Sequence, residues 1–248
     1  MIKVEMEIYL LETGMKRVND ENERESLVLE GTNILLKRFL SMSDIMSNIK
    51  GTADWFLTGD SKEDALKKKV ISQGMVTPKA SQLMSKDLMN DYALVVKKIW
   101  NKNMDSILCL NYIQSDINKF SYVITFKVKD QKQAREYVPE IVRHLINDLS
   151  PRIVKVETND YSLNEHQVFP DRLPVGWMFY INNVYDENIL GLGKRMHTLA
   201  KGGKTVGTLF LTKPDFFDGS DKSDIALAND LEIALAGHDI LPTYRNIF

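Results

Sequence analysis

The chain has 248 residues, of which 44% are hydrophobic and 27% charged, and its formal net charge is −2. This composition is typical of a globular protein with a substantial core, and the near-neutral charge gives no overall field for binding nucleic acid or an anionic membrane. Cys109 is the single cysteine, so no intramolecular disulfide can form, and its apolar neighbours predict a buried, inert thiol. Neither a signal peptide nor an apolar run of about 20 residues is found, so we expect a cytoplasmic protein.

The first third of the chain is predicted to contain a strand, a polar loop and three helices. Val4, Met6 and Ile8 alternate with polar residues, which indicates a half-buried strand. Thr32 and Ser61 precede helical patterns as candidate N-caps. The predicted bounds are 3–10 for the strand, 12–30 for an exposed acidic loop, and 32–48, 62–73 and 78–86 for the helices.

Three apolar, β-branched and aromatic runs follow at residues 92–100, 106–114 and 120–128. Short polar segments separate them, and loops this short favour an antiparallel meander. A helix through 91–102 is the competing interpretation, and the turn Asn101-Lys102-Asn103 argues against it.

The second half alternates between helical and strand patterns. Asp130 can cap a helix with Gln133 at its third position, and Pro139 should kink or restart that helix. Strands are predicted at 152–158, 176–182 and 205–212, with a helix at 188–201 between the last two and a tight turn at Gly202-Gly203. A last helix, capped by Ser223 or Asp224, should end at Gly237.

These elements predict an α+β fold: an antiparallel-rich sheet, with the meander at 92–128 and further strands near 3–10, 152–158, 176–182 and 205–212, on which the helices pack. The sequence shows no internal repeat and no Gly/Ser linker. We therefore expect a single domain over residues 1–248.

No pattern predicts a catalytic set, a metal site or a cofactor. Gly203-Lys204-Thr205 lacks the first glycine of a phosphate-binding loop, because Thr198 occupies that position. The four histidines have no metal-ligand spacing, and no serine lies in a nucleophile-elbow pattern. One alternative stays open, which is a small enzyme or binding protein with a pocket around His166, His197 and nearby carboxylates.

The C-terminal region is acidic, with seven acids against three bases over residues 213–248. Asp215, Asp218, Asp221 and Asp224 recur every third residue, whereas a calcium loop of the EF-hand type needs acids at every second residue. A solvated loop with helix N-terminal charge, or an acidic surface that binds a partner, accounts for them better. Trp55, in a turn, is the tryptophan that we expect to face a partner.

The sequence resembles the immunity protein 52 family of bacterial polymorphic toxin systems over residues 3–242. The matching residues are dispersed along the chain but occur in order. They are Trp55 with Gly59-Asp60-Ser61 and Ala65; Trp100-Asn101; Pro174-Val175-Gly176-Trp177-Met178-Phe179-Tyr180; and Gly203, Gly207-Thr208-Leu209, Phe217-Asp218, Ala228-Asn229, Glu232, Leu235 and Leu241-Pro242.

The resemblance implies a non-catalytic cytoplasmic protein that binds a cognate toxin and blocks it. Toxins paired with such proteins include restriction-endonuclease-fold nucleases delivered by type VI secretion. A nuclease site is basic because it must attract a polyanion. Carboxylates on an inhibitor could therefore speed its association with that site. The four aspartates and the acidic loop at 12–30 are then candidate partner-binding residues, together with Trp55. A partner other than a nuclease and a place in a larger assembly are the remaining alternatives.

Overall fold

A computed structural model describes residues 1–12, 21–52, 54–88, 94–112, 118–186, 188 and 191–247. These residues form eleven strands and five helices. The strands are β1 Ile2–Glu12, β2 Asp54–Leu57, β3 Lys69–Ser72, β4 Met75–Val76, β5 Leu94–Trp100, β6 Ser106–Tyr112, β7 Asn118–Val128, β8 Ile153–Thr158, β9 Met178–Ile181, β10 Met196–Lys201 and β11 Lys204–Leu211. The helices are α1 Glu21–Lys50, α2 Lys62–Leu66, α3 Ala80–Leu88, α4 Gln131–Leu149 and α5 Lys222–Gly237.

The strands form one sheet in the order β10-β11-β9-β8-β1-β7-β6-β5-β2-β3-β4. The strand pairs with a described register are antiparallel, and the predicted α+β class and the meander of β5, β6 and β7 are confirmed. None of the described helices is long and apolar enough to cross a bilayer.

The chain divides into two compact units, and β1, β7 and α4 contribute residues to both. Unit 1 comprises residues 1–9, 125–142 and 150–248, and unit 2 comprises residues 10–124 and 143–149. The single domain predicted over 1–248 stays a prediction.

In unit 1, α5 contributes to a core with the strands β8, β9 and β11. Leu231 and Leu235 of α5 are fully buried, as are Ile153, Phe179 and Phe210 of the three strands. The burial of these large side chains is the main stabilising contribution in this unit.

In unit 2, the long helix α1 packs on the inner face of the sheet. Phe39 of α1 meets Tyr122 of β7 edge to face, with ring centroids 6.1 Å apart, and both side chains are fully buried. Cys109 is also buried, which confirms the predicted inert environment of the thiol.

The helix predicted from Thr32 begins earlier, because α1 begins at Glu21. Thr32 is therefore not an N-cap but a fully buried residue inside the helix. The predicted loop at 12–30 is wrong for residues 21–30, and residues 13–20 lie outside the described part. Glu, Arg and Leu are good helix formers, so a polar composition does not by itself indicate a loop.

Two further segments that are predicted as helices contain strands. Of the helix predicted at 62–73, only α2 is helical, and Val70 and Ile71 are buried in β3, which pairs with β2. Residues 196–201 of the helix predicted at 188–201 form β10, which pairs with β11, and 193–195 form a 3-10 turn. Pairing with strands elsewhere in the chain outweighs local helix propensity at both places.

Local turn and cap signals are more accurate. The turn at Gly202-Gly203, with φ of +57° and +79°, joins β10 to β11 as predicted. Ser61 caps α2, and Asp130 accepts a hydrogen bond from the Gln133 amide. The helix α4 continues through Pro139 from Gln131 to Leu149, so the predicted restart is wrong.

Replacing Gly176 by alanine should destabilise the protein strongly. Gly176 has φ +59°, and an added Cβ would lie 2.5 Å from the backbone oxygen of Val156. We expect the free energy of unfolding to fall by about 2–4 kcal/mol in chemical denaturation. Gly237→Ala is the control, because an added Cβ meets nothing within 4 Å. Equal stability of the two variants would contradict this.

Candidate partner-binding site

The four predicted aspartates lie around the N-terminus of α5, and two of them, Asp218 in the preceding loop and Asp224 in the first turn of the helix, bond to groups of this region. Asp224 is 5% exposed and accepts hydrogen bonds from the Lys213 ammonium and the Asp218 amide. Asp218 accepts from the Asn159 side chain at 2.8 Å. Gly219 packs so closely that its amide donates to Thr158 Oγ1 at 3.1 Å. This loop is therefore fixed to the adjacent segment at 158–159.

The other two aspartates are exposed but also engaged. Asp221, rather than Ser223 or Asp224, is the N-cap of α5, and bonds from Ser223 and then the Asp224 amide lower the pKa of its carboxyl. Asp215 accepts from the Phe216 amide, which together with Arg135 at 2.8 Å lowers the pKa of Asp215. All four carboxylates thus have partners in their own chain, and their contact with a toxin stays a prediction.

Replacing Asp224 by alanine should affect folding, whereas replacing Asp215 should not. Removing the buried carboxylate leaves Lys213 and the Asp218 amide without their partner, and we expect the free energy of unfolding to fall by about 1–3 kcal/mol. Asp215→Ala, whose side chain is 66% exposed, should leave the thermal midpoint unchanged. Thermal denaturation of both variants tests this contrast, and an unchanged midpoint for Asp224→Ala would contradict it.

Trp55 does not lie at the surface, and the prediction that it faces a partner is wrong. Its side chain is 0% exposed, and Trp55 lies in β2, which is placed between β3 and β5 in the sheet. The turn that suggested exposure begins only after Leu57. Trp100, at the end of β5, is half-buried instead.

The two histidines of the alternative pocket have different surroundings. His166 is half-buried beside the Tyr161 ring, at 6.1 Å between centroids, and His197 is exposed on β10. In the part of the chain that the structure describes, neither forms an ion pair with a carboxylate. No cluster of three His, Cys, Asp or Glu side chains among the described residues could hold a metal ion.

A buried charge cluster in unit 1 was missed by sequence reasoning. Lys155 of β8 is 1% exposed, and its ammonium donates to Glu7 at 2.6 Å and to Glu157 at 3.1 Å. Tyr9 donates to Glu7, and Ser162 donates to Glu157 at 2.8 Å. Alternation within a strand cannot reveal such a cluster, because its members come from two strands and a loop.

The electrostatics of this cluster favour the charged forms. Burial would lower the pKa of Lys155, but the charges of Glu7 and Glu157 raise it above its ordinary value. Burial by itself would raise the pKa of Glu7. The charge of Lys155 and the hydrogen bonds that Glu7 accepts from Lys155 and Tyr9 have a larger, opposite effect, so the pKa of Glu7 lies below its ordinary value. A lysine that stays protonated is neither a base nor a nucleophile, and we interpret the cluster as structural.

Replacing Lys155 by methionine should destabilise the protein most at neutral pH. Two buried carboxylates lose their counter-ion, so we expect a loss of about 3–5 kcal/mol near pH 7. Because the pKa of Glu7 is lower in the folded protein than its ordinary value of 4.5, ionised Glu7 stabilises the wild type fully above pH 4.5. This stabilisation is lost as the pH falls through the pKa of Glu7 in the folded protein. In the variant, protonation relieves the buried charges, so the difference from wild type should shrink toward pH 4.

The control for this prediction is Lys69→Met, which removes a half-exposed ion pair with Asp54 at 2.7 Å. It should change the free energy of unfolding by less than about 1 kcal/mol. Denaturation measured from pH 4 to pH 8 distinguishes the two variants. A pH-independent loss for Lys155→Met would contradict the electrostatic explanation.

One face of β5 and β6 in unit 2 is exposed and partly apolar. We call it the open face; its residues are Val96, Lys98, Trp100, Ser106, Leu108 and Leu110. Val96 pairs directly with Leu110 across the two strands, and the side chains are 50% and 38% exposed. The alternate residues Ile99 and Ile107 are fully buried on the other face. Large exposed apolar patches mark contacts with other proteins, and Val96 and Leu110 make this face a candidate for such a contact.

A cleft of about 520 Å³ lies at one end of the open face. The turn before α2 forms one wall, and the β5–β6 hairpin forms the other. It is lined by Thr58, Gly59, Ser61, Lys62, Ala65, Lys98, Trp100, Met104 and Ser106. Hydroxyls, two ammonium groups and apolar surface can bind a partner segment, but they do not form a nucleophile–base pair.

Neither the open face nor the cleft was predicted, although the sequence contains one signal for the cleft. Met104 occurs in the otherwise polar hairpin Asn101–Asp105, and it is 75% exposed. A large apolar residue is unusual in such a turn. The exposed pair of Val96 and Leu110 gives no comparable signal, because valine and leucine are equally common in buried strands.

No protein-family model matches the chain, and no curated protein matches it. Among solved structures, a Pseudomonas aeruginosa T6SS protein is similar over 95% of this chain and 76% of its own, with 11% identity and a TM-score of 0.48. This similarity is too low to support a conclusion about function. Membership of the immunity protein 52 family therefore stays a prediction.

Proposed function

We propose that this protein is an immunity protein, which neutralises a cognate secreted toxin by stoichiometric binding and catalyses no reaction. The observation that carries the proposal is the open face, where Val96 and Leu110 present apolar surface on a rigid pair of strands. Rigid, partly apolar surfaces lose little conformational freedom on association and are well suited to tight binding.

The sequence resemblance supplies the class of partner. It implies a toxin of a polymorphic system, and a restriction-endonuclease-fold nuclease is the class that we propose. Neither nucleic acid nor a membrane is part of the proposal, since the chain has a net charge of −2. All four aspartates bond to groups of their own chain, which argues against the hypothesis that these carboxylates alone attract the toxin.

Titration against the toxin encoded by the neighbouring gene tests the proposal. Degradation of plasmid DNA should fall in proportion to added protein and reach zero at a one-to-one ratio, because each inhibitor molecule occupies one toxin molecule. An enzyme that modified the toxin would abolish its activity at much lower ratios. Co-expression should also restore the growth of cells that make the toxin.

The control is the same toxin with its catalytic residue replaced, which should be harmless and should still form the complex in size-exclusion chromatography. The absence of a complex at micromolar concentration would overturn the proposal. Inactivation of the toxin by a trace of the protein would also overturn it.

A further inference from the structure

The hairpin between β5 and β6 places a methionine where glycine or asparagine is favoured. The Met104 amide donates to the Asn101 carbonyl at 3.0 Å, and Met104 has φ +65°. The left-handed region is uncommon for residues with long side chains, and this hairpin geometry usually has glycine at that position. Met104 is nevertheless 75% exposed. Folding gains nothing evident from this arrangement, whereas an exposed apolar side chain is suited to contact with a partner.

The rest of the hairpin is firmly anchored. The Lys50 ammonium bonds to Asp105 at 2.6 Å, with side chains only 9% and 1% exposed. Asn101 also bonds to Asp105, at 3.1 Å, and accepts from the Asn103 amide at 2.9 Å. Because these contacts fix the backbone, the methionine is presented in a defined position beside the cleft.

Trp100, at the base of the same hairpin, is also held in place. Its indole N–H donates to the Leu57 carbonyl at 3.1 Å, and its ring lies 5.6 Å from the Phe56 ring. It remains half-buried and lines the cleft. A tryptophan that is immobilised before binding and is partly exposed has the properties of an interface hot spot.

The charged side chains that line the cleft are both lysines, while the neighbouring Asp64 forms an ion pair with Lys68 at 2.8 Å. Lys62 and Lys98 are exposed, and the lining contains no carboxylate. In the described part of the chain, neither lysine forms an ion pair. Two cations beside apolar surface select an acidic partner, because like charges would repel a basic one.

We propose that the open face and its cleft are the docking surface for an acidic segment of the toxin. An apolar side chain of that segment enters the cleft between Trp100 and Met104, and its carboxylates face Lys62 and Lys98. This inference rests on the proposed function. It assigns the contact to a basic and apolar surface of unit 2, rather than to the acidic segment at 213–224.

Isothermal titration calorimetry with the catalytically inactive toxin from the neighbouring gene tests the docking surface. The double variant Lys62→Glu, Lys98→Glu should raise the Kd at least about tenfold, as expected when hot-spot contacts are lost. Its effect should weaken as salt is added, because exposed charges are screened. Lys79→Glu is the matched control, since Lys79 is an exposed lysine of the same unit away from the cleft, and its Kd should stay within about twofold.

Met104→Asn separates binding from folding. Asparagine tolerates the left-handed conformation, so the thermal midpoint should equal or exceed that of the wild type, while the Kd rises at least about fivefold. A lower midpoint would contradict the assigned strain at Met104. A weakened complex with undiminished stability cannot be attributed to unfolding.

The possible outcomes distinguish the two proposals. If the wild-type protein does not bind the toxin, the proposed function and the docking surface are both wrong. If the wild type binds and the variants at Lys62, Lys98 and Met104 bind equally well, only the docking surface is wrong. Loss of binding in Asp215→Asn, Asp221→Asn with full binding by the lysine variant would place the contact on the acidic segment instead.

Discussion

A lysine ammonium lies between two carboxylates where β1 and β8 run side by side, and the architecture of unit 1 depends on this contact. Glu7 is directly opposite Lys155 in the antiparallel register, and Glu5 is opposite Glu157. Two glutamates facing each other repel, and burial together with Glu157 raises the pKa of Glu5. Lys155 offsets that repulsion. A shift of one residue would move the ammonium to the other face, so the cluster specifies the register of strands about 150 residues apart in the sequence.

Another buried carboxylate, Glu232, connects this polar layer to α5. Glu232 is 1% exposed and accepts from Tyr161 and from the amides of Val168 and Val175. Burial raises its pKa above the usual value, despite these bonds. The segment between β8 and β9 is thereby tied to the last helix. Two of the acidic residues in the C-terminal region, Asp224 and Glu232, are thus buried and hold the fold together, whereas Asp215 and Asp221 are exposed.

The sequence determines some of these features locally and others only through distant contacts. The strand at Val4–Ile8, the caps at Ser61 and Asp130, and the turn at Gly202 depend on neighbouring residues, and each could be predicted. Residues 69–72 and 196–201 carry patterns compatible with a helix, and only pairing with another strand makes them extended. Local propensity contributes little when a partner strand buries the same side chains, and this limits prediction from one sequence.

The candidate site shows the same limit. A row of aspartates looks the same in a sequence whether the carboxylates bind their own backbone or face solvent, and most of the hydrogen bonds that decide this come from residues such as Asn159, far away in the chain. The neighbours of Trp55 indicate a turn, yet this residue lies in β2 and its side chain is fully buried. The exposure of Val96 likewise depends on whether another element covers β5, which no local pattern can report.

Met104 combines a left-handed backbone with an exposed apolar side chain, and both features are unfavourable in the isolated protein. A left-handed backbone at such a residue costs about 1–3 kcal/mol, and exposing the side chain forfeits the gain of burying it. Burial of a methionine at an interface recovers about 1.5–3 kcal/mol, so a complex can offset the strain that the isolated protein bears. The hairpin tolerates this strain because the buried pair of Lys50 and Asp105 holds its backbone. An anchored ion pair beneath the surface therefore lets the hairpin keep a residue that does not itself contribute to folding.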